Sequence, residues 1–172
     1  MGYTTDFHGT VSIDPPLNEH EVEFLRDFAQ TRRMTRAAGP YYVGGDDDRN
    51  SGDIYDFNRP PDGQPGLWCQ WVPDLTGQFL EWDGGEKFYH AAEWMKYLID
   101  HFIKPGAEAQ ELIKGLPDKV QVQFAYFTFD HVVNGTIEAQ GEDADDRWAL
   151  IVKDNVVYTA DATFVYNDPQ EL

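Results

Sequence analysis

The sequence contains one cysteine, few cations and no long apolar run. Its 172 residues include 13 Lys and Arg against 31 Asp and Glu, a formal net charge of −18 at pH 7. A lone Cys69 excludes an internal disulfide and fits a reducing compartment. No stretch approaches the roughly 20 apolar residues of a membrane-spanning helix, and the first residues lack a signal-peptide pattern. We therefore expect a cytoplasmic protein that does not enter a membrane.

The shortage of positive charge also restricts the partners. A surface at −18 repels phosphates and anionic lipids, so we expect no direct binding to nucleic acid or to a membrane. Asp is more frequent than Glu, which suits an acidic surface that keeps the protein soluble or a G+C-rich coding bias. The same charge also suits a protein that imitates DNA.

Apolar and aromatic residues are plentiful despite the charge. Hydrophobic residues make up 41% of the chain and aromatic residues 15%, which is too much for a disordered protein. The length fits one domain that buries a sizeable core without disulfides. We predict a single α+β domain over residues 1–172.

The first half of the chain predicts one strand, one helix and one long loop. Apolar residues alternate with polar ones from Tyr3 to Ile13, which indicates a strand with one buried face. A helix over about residues 19–32 follows, with Asn18 as its N-cap and Glu21 completing a capping box. Glycine and proline recur through residues 37–66, which predicts an irregular loop with one short strand at Tyr41–Val43.

The second half predicts a hairpin, a second helix and a meander of strands. The hairpin covers about residues 67–82, and the apolar stripe of residues 88–103 indicates an amphipathic helix. Extended structure is predicted for Val120–His131, followed by a hairpin turn at Asn134-Gly135 and strands near 148–152 and 156–159. We therefore predict a mostly antiparallel sheet with two principal helices packed on one face.

The first candidate site is a cluster of cations after the first helix. A positive pocket lined by aromatic rings could hold an anionic metabolite such as a nucleotide. The alternative is that these arginines cap the helix and pair with the acidic excess. The residues of this site are Arg32, Arg33, Arg36, Arg59, Tyr41 and Tyr42.

The second candidate site is the densest acidic cluster of the C-terminal half. It lies in a predicted turn and would suit contact with a basic partner. Carboxylates as exposed as these are poor acid–base catalysts, and a solvated turn explains them equally well. The cluster consists of Glu142, Asp143, Asp145 and Asp146.

No pattern indicates a metal, a cofactor or a catalytic residue. Cys69 lies between two tryptophans with no nearby cation, so a buried structural thiol is expected. The histidines lack the HExxH spacing of zinc sites. The acidic run at 46–53 does not fit an EF-hand, because its glycine comes one residue late and Phe57 stands where the bidentate Glu belongs. An irregular cation site there stays open.

Five stretches of the chain carry a resemblance: GYTTDF, TRRM, FNRPPDGQPGLWCQWVP, LEWDGGEKFYHAAEWMKYLIDHF and NGTIEAQGEDADDRWALIVKDNVV. They resemble an uncharacterised family of small acidic proteins from bacteriophages, prophages and some actinobacteria. The resemblance covers most of the chain and implies a genomic context without implying an activity or catalytic residues. The C-terminal segment TADATFVYNDPQEL extends beyond the family pattern.

Three hypotheses for the function follow. The first is a non-catalytic interaction protein, an accessory phage or prophage product whose acidic surface binds a basic host protein. The second is a binder of a small anionic metabolite through the arginine and tyrosine cluster. The third is an enzyme whose site assembles from distant carboxylates and histidines. The sequence also leaves a homo-oligomer open.

Overall fold

The computed structural model describes residues 2–44 and 52–172, and part of the acidic run at 46–53 lies outside them. Among the described residues there are four α-helices, which are α1 Glu19–Gln30, α2 Ala91–Leu98, α3 Ala109–Leu112 and α4 Asp118–Gln121. The nine strands are β1 Thr5–His8, β2 Val11–Asp14, β3 Thr35–Arg36, β4 Ile54–Asp56, β5 Trp71–Pro73, β6 Phe79–Trp82, β7 Val132–Gly141, β8 Arg147–Lys153 and β9 Val156–Asp161.

The main sheet has seven strands, and every pairing in it is antiparallel. Its order is β5-β6-β2-β7-β8-β9, and β1 lies beside the far end of β7. Strands β3 and β4 form a separate two-stranded ladder. The main sheet, with its helices, confirms the α+β class expected from the sequence.

The alternating residues near the N-terminus form two successive strands, β1 and β2, that lie end to end along the same side of β7. Both β1 and β2 pair with β7, and their inward side chains Phe7, Val11 and Ile13 are buried. The row breaks at Gly9, whose φ of +104° is a conformation that other residues rarely adopt. The predicted face is therefore correct, although the predicted strand is two strands.

Helix α1 begins as its sequence predicts. The Asn18 side chain accepts hydrogen bonds from the backbone N–H groups of His20 and Glu21, both at 3.0 Å. The Glu21 carboxylate in turn accepts from the Asn18 N–H at 2.8 Å, which completes the capping box. The helix ends at Gln30, two residues before the predicted end, and Thr31 caps it.

Helix α2 begins three residues later than predicted and ends in a π-helical turn, Ile99–Ile103. The two segments together bury the predicted apolar stripe, including Met95, Leu98 and Phe102. Phe102 contacts the rings of Phe24 and Phe28 edge-on, with ring centroids 5.2 Å apart in both cases. These aromatic contacts join the second helix to the first.

The predicted strand at Tyr41–Val43 does not form. Tyr41 is fully buried, and its hydroxyl is bound to His101 Nδ1 at 2.6 Å. The next carbonyl, that of Tyr42, accepts a hydrogen bond from the Arg33 side chain. These residues are therefore fixed by side-chain contacts, and the local strand pair is β3 with β4.

The extended segment predicted at Val120–His131 is also wrong, because its first part is helical. Helix α4 leads into a 3-10 turn, Val122–Phe124. Val120 and Phe124 are buried, and this spacing of four residues is typical of a helix. The Phe124 ring packs against that of Phe24 on α1, with centroids 4.7 Å apart. The helical part ends at Ala125, which caps the 3-10 turn.

The predicted hairpin turn at Asn134-Gly135 lies instead inside β7. A Cβ on Gly135 would lie 2.9 Å from Val11 Cα, so glycine is needed there for the close approach of β2. The actual tight turn is Asp154-Asn155 between β8 and β9, where both residues have positive φ. The Asn134 side chain accepts a hydrogen bond from the Asp154 N–H at 2.8 Å. Asn134 therefore supports a neighbouring turn without forming one.

Gly77 offers a test of the packing between the β5–β6 turn and the start of α1. A Cβ at Gly77 would lie 2.2 Å from the Leu17 carbonyl oxygen, whereas one at Gly63 would meet nothing within 4 Å. Both glycines have positive φ, 72° and 85°. We expect Gly63→Ala to cost about 1 kcal/mol of unfolding free energy, and Gly77→Ala about 2 kcal/mol more.

Urea denaturation of the two variants measures this difference directly. The matched φ values cancel the intrinsic preference for glycine, so the remaining difference reports the clash with the Leu17 backbone. Equal losses of stability in the two variants would show that the turn moves freely away from α1.

Candidate functional site

The arginines after α1 are held by contacts within the protein. The Arg32 Nε donates to the Phe57 carbonyl at 3.2 Å, and its guanidinium lies 4.2 Å from the centre of the Phe57 ring. The side chain of Arg36 donates to the Arg32 carbonyl at 2.9 Å and lies 4.5 Å from the centre of the Tyr42 ring. Cation–π contact and hydrogen bonding therefore fix both side chains.

Arg33 is part of the protein core. Only 2% of the residue is exposed, and its guanidinium lies 4.1 Å from the centre of the Phe28 ring. It also donates to the Tyr42 carbonyl. A buried charge is tolerated only where such contacts replace its hydration, so these contacts are expected to be essential for the local fold.

The remaining members of this candidate site point elsewhere. The Arg59 side chain is 65% exposed and pairs with Asp62 at 2.9 Å. Tyr41 is buried, and its hydroxyl is hydrogen-bonded to His101. The structure therefore brings together Arg33, Arg36 and Tyr42, but it gives Arg59 and Tyr41 other partners. Binding of an anion by these residues stays a prediction.

The acidic cluster forms the loop between β7 and β8. Glu142 accepts a hydrogen bond from the Thr4 N–H at 2.8 Å, and Asp146 accepts one from the Tyr3 hydroxyl at 2.5 Å. Two of the four carboxylates thus attach the N-terminal segment to the loop. Asp143 and Asp145 are exposed, so contact with a partner through them stays a prediction.

A buried ion pair joins three parts of the chain. His131 Nε2 lies 3.1 Å from Glu21 Oε1, and the two side chains are 2% and 1% exposed. The other ring nitrogen of His131, Nδ1, lies 2.6 Å from the Pro15 carbonyl oxygen. Both nitrogens face acceptor oxygens, an arrangement that favours the doubly protonated, positively charged ring. The same Glu21 oxygen accepts from the Thr128 N–H at 2.9 Å.

Hydrogen bonding between Glu21 and His131 favours the charged form of each side chain. Burial opposes ionisation of Glu21, yet the hydrogen bonds from His131, Thr128 and Asn18 outweigh it and lower the pKa of the carboxyl. Burial likewise opposes the charge on His131, but the bonds to Glu21 and Pro15 prevail and raise the pKa of the imidazole. The sequence identifies Glu21 as a cap and gives no sign of its second role.

Other reactive side chains are enclosed. Burial raises the pKa of the Cys69 thiol to about 12, in spite of a hydrogen bond to the Trp71 carbonyl and the charge of Arg33. A thiol of this kind is a poor nucleophile. His101 stacks on the Tyr97 ring with centroids 3.8 Å apart, and burial lowers the pKa of its imidazole. Its bond to the buried Tyr41 hydroxyl makes this group part of the core.

An acidic groove lies between α1 and the segment that follows α4. We define the α1 groove as a cavity of about 220 Å³. Glu23 and Asp27 lie one turn apart on its helical side, and the Tyr126 ring stacks on His20 at one end with centroids 4.2 Å apart. Its lining residues are His20, Glu23, Phe24, Asp27, Val43, Val122, Gln123 and Tyr126.

The polar groups of the α1 groove are mostly acceptors. Partial burial, and then the charge of Glu23, raise the pKa of Asp27. Gln123 Oε1 is buried and has no hydrogen-bond partner among the residues that the structure describes. Two carboxylates, one free amide oxygen and an aromatic ring suit a guanidinium or ammonium group. An i, i+4 acidic pair followed by an exposed tyrosine far along the chain is too common a pattern for sequence analysis to single out.

A larger cavity of about 490 Å³ lies on the outer face of the sheet. Its floor consists of the small side chains Ala149 and Ala160, and Phe164 covers one side. The Arg147 guanidinium at its rim lies 5.4 Å from the centre of the Phe164 ring. This cavity has an apolar floor and no buried polar group aimed into it, so it indicates apolar contact more than chemistry.

The chain matches no protein-family model, and no curated protein and no solved structure is similar to it. Within residues 2–44 and 52–172, no helix is long and apolar enough to cross a membrane. The same residues contain no group of three or more His, Cys, Asp or Glu side chains placed to hold a metal ion. The geometry of the grooves and charges is therefore the evidence on function.

The buried pair makes stability depend on pH in a defined direction. The His131 contribution is complete below about pH 6.5 and is lost as the pH rises through the raised pKa. The Glu21 contribution is complete above about pH 4.5 and is lost as the pH falls through the lowered pKa. We expect His131→Gln to cost about 3–5 kcal/mol between these limits and less at higher pH, since it leaves Glu21 buried without its partner.

Thermal unfolding of the wild type, His131→Gln and the exposed-residue control His8→Gln from pH 4 to 9 tests this expectation. The control should follow the wild type at every pH. If the melting temperatures of the wild type and His131→Gln differed by the same amount at every pH, the result would contradict a charged pair.

The two kinds of arginine can be separated by their effect on stability. We expect Arg33→Ala to lower the free energy of unfolding by about 2–4 kcal/mol, because it empties a buried position and frees the Tyr42 carbonyl. Arg59→Ala should change it by less than about 0.5 kcal/mol, since its ion pair is exposed. Chemical denaturation measures the free energy of unfolding of both variants. If Arg33→Ala left this free energy unchanged, Arg33 would again be a candidate for ligand binding.

Proposed function

We propose that the chain is a non-catalytic acidic protein that binds a basic protein surface, and that the α1 groove receives an arginine or lysine side chain of the partner. The observation that carries the proposal is the pair of carboxylates, Glu23 and Asp27, in one groove with Gln123, whose buried side-chain oxygen accepts no hydrogen bond from the described part of the chain. A cation placed between them would offset both causes of the raised pKa of Asp27, which are partial burial first and the charge of Glu23 second.

The distribution of cations supports an acidic binding face. The Arg26 side chain donates to the Pro73 carbonyl at 2.6 Å. Lys104 pairs with Asp100 at 2.6 Å, and Lys114 with Glu111 at 2.8 Å. Neither Glu23 nor Asp27 has a cation within ion-pair distance among the described residues. Their charge is therefore available to an incoming group.

The resemblance to phage and prophage proteins suggests the setting of this interaction. In the cytoplasm of an infected cell, a protein with a net charge of −18 would reach a basic host protein rapidly and at long range. A host protein that normally binds nucleic acid offers such a surface. Binding of an anionic metabolite by the arginine cluster remains the alternative, although Arg33 and Arg36 already contact Tyr42.

A hexa-arginine peptide is the direct probe of the α1 groove. Calorimetric titration at 50 mM salt should detect binding, and the affinity should fall steeply at 300 mM salt because exposed charges are then screened. The double variant Glu23→Gln, Asp27→Asn should bind about tenfold more weakly, since it removes both charge-assisted contacts. The uncharged hexa-citrulline peptide, which has the same shape, should not bind.

A matched control distinguishes the groove from the general field of the protein. The variant Asp143→Asn, Asp145→Asn removes the same charge from the exposed β7–β8 loop. We expect it to bind the peptide nearly as the wild type does. Equal weakening in both double variants would mean that net charge alone attracts the peptide and that the groove has no particular role.

A further inference from the structure

The C-terminal edge of the sheet carries little charge. Asp161 is the only charged residue from position 155 to position 167, in a chain with a net charge of −18. Several large apolar side chains are exposed in the same region. They include Val156 and Tyr158, both 51% exposed, and Phe164 at 58%. This edge is therefore a weakly charged, apolar part of an acidic protein.

Apart from Asp161 at its last position, the edge strand also lacks the features that keep strands apart. Natural edge strands usually carry lysine or proline, a bulge or a very short length. Strand β9 is six residues long, runs in regular register with β8, and contains neither lysine nor proline. Among the described residues no strand pairs with its outer side. Its outward backbone groups are free to pair with another strand.

The ladder with β8 identifies these outward groups. The Ala162 N–H donates to the Arg147 carbonyl at 2.9 Å, so Ala162 faces β8. Backbone groups alternate along a strand, so positions 156, 158 and 160 also face β8. The N–H and C=O groups of Val157, Thr159 and Asp161 therefore point away from the sheet.

We propose that β9 pairs antiparallel with β9 of a second copy of the chain, about a two-fold axis at Thr159. The axis places Val157 opposite the partner's Asp161 and Thr159 opposite the partner's Thr159, so that outward groups meet outward groups. The two main sheets become one continuous sheet across the dimer. This proposal goes beyond the binding of a basic partner. Strand β9 lies at one end of the sheet, whereas helix α1, which carries the groove, packs against β5 at the other end.

Side-chain sizes on the outer face favour this register. Going along the strand, the outer residues are Val156, Tyr158, Ala160 and Ala162, two large followed by two small. The axis at Thr159 sets Tyr158 opposite the partner's Ala160 and Val156 opposite the partner's Ala162. A shift of the axis to position 158 or 160 would place two tyrosines or two alanines opposite each other. A large side chain against a small one packs better than either.

The electrostatics identify a second copy as the occupant. An edge with little charge offers a basic partner no electrostatic attraction. Two copies of an acidic protein, by contrast, repel each other least where their charge is sparse. Thr159 opposite Thr159 is a favourable cross-strand pair, and the two Asp161 side chains are four residues apart in this register. The segment that follows β9 exposes Phe164, Val165 and Tyr166, which offer further apolar area toward the roughly 800 Å² per partner of a stable interface.

Sedimentation velocity of the full chain tests the proposal. We expect a monomer–dimer equilibrium whose dissociation constant falls about tenfold between 50 and 500 mM salt, because salt screens the repulsion between two acidic molecules. Binding of the arginine peptide has the opposite salt dependence, so the two proposals fail separately. A monomer at 200 μM protein and 500 mM salt would overturn the dimer.

Two substitutions at one position locate the interface. Thr159→Pro removes an outward N–H without touching a hydrogen bond to β8, and it should give a folded monomer, as judged by circular dichroism. Thr159→Val keeps the N–H and the shape of the side chain, and it should remain a dimer. A dimer that persists in a folded Thr159→Pro variant would place the interface elsewhere and overturn the proposal.

Cross-linking tests the two-fold axis itself. Directly paired residues in this register have Cα atoms about 5.5 Å apart, within the range of a disulfide. Thr159→Cys should therefore form a covalent dimer under mild oxidation, while the buried Cys69 does not react. Leu75→Cys, an exposed position at the far end of the sheet, is the control and should stay monomeric. Equal cross-linking of the two variants, or none at Thr159→Cys, would contradict the axis.

Discussion

The ion pair between Glu21 and His131 is the interaction on which the arrangement of helices and sheet depends. Glu21 caps the start of α1, and His131 immediately precedes the longest strand of the sheet. The pair is almost completely enclosed, and it also holds the backbone at Pro15 and Thr128. Because neither charge is stable alone in such a place, the helix, the strand and both connections must come together at once.

The sheet and both main helices followed from local patterns in the sequence. Alternation placed Phe7, Val11 and Ile13 on the buried face, and the capping box placed the start of α1. The misread segments have a tertiary cause in each case. Asn134-Gly135 is a turn signal by composition, but contact with β2 at Val11 requires its glycine inside a strand. The helical character of α4 and the 3-10 turn after it gives a weak sequence signal, because Val120 and Phe124 are buried while Val122 between them is exposed.

The candidate sites were harder to predict than the fold, because a binding site is made by residues that are distant in the sequence. The sequence predicts the arginine cluster as an anion site, and the structure shows part of it packed inside the protein, with Arg33 against Phe28. The α1 groove combines Glu23 and Asp27 with Gln123 and Tyr126, about a hundred residues further along the chain. No local pattern relates these pairs. The packing of the 3-10 turn Val122–Phe124 against α1 decides this proximity, and the sequence pattern predicts extended structure there.

The position of the first strands in the middle of the sheet governs how the chain can be made. Strand β2 lies between β6 and β7, and Thr5 of β1 stands opposite Gly141. During synthesis, the N-terminal row therefore has no complete set of neighbours until most of the protein has left the ribosome. Contacts between such distant residues are costly in chain entropy, and folding rates fall as they become more numerous. A net charge of −18 repels copies of the chain from one another, so it would slow their association while the central strand is still unpaired.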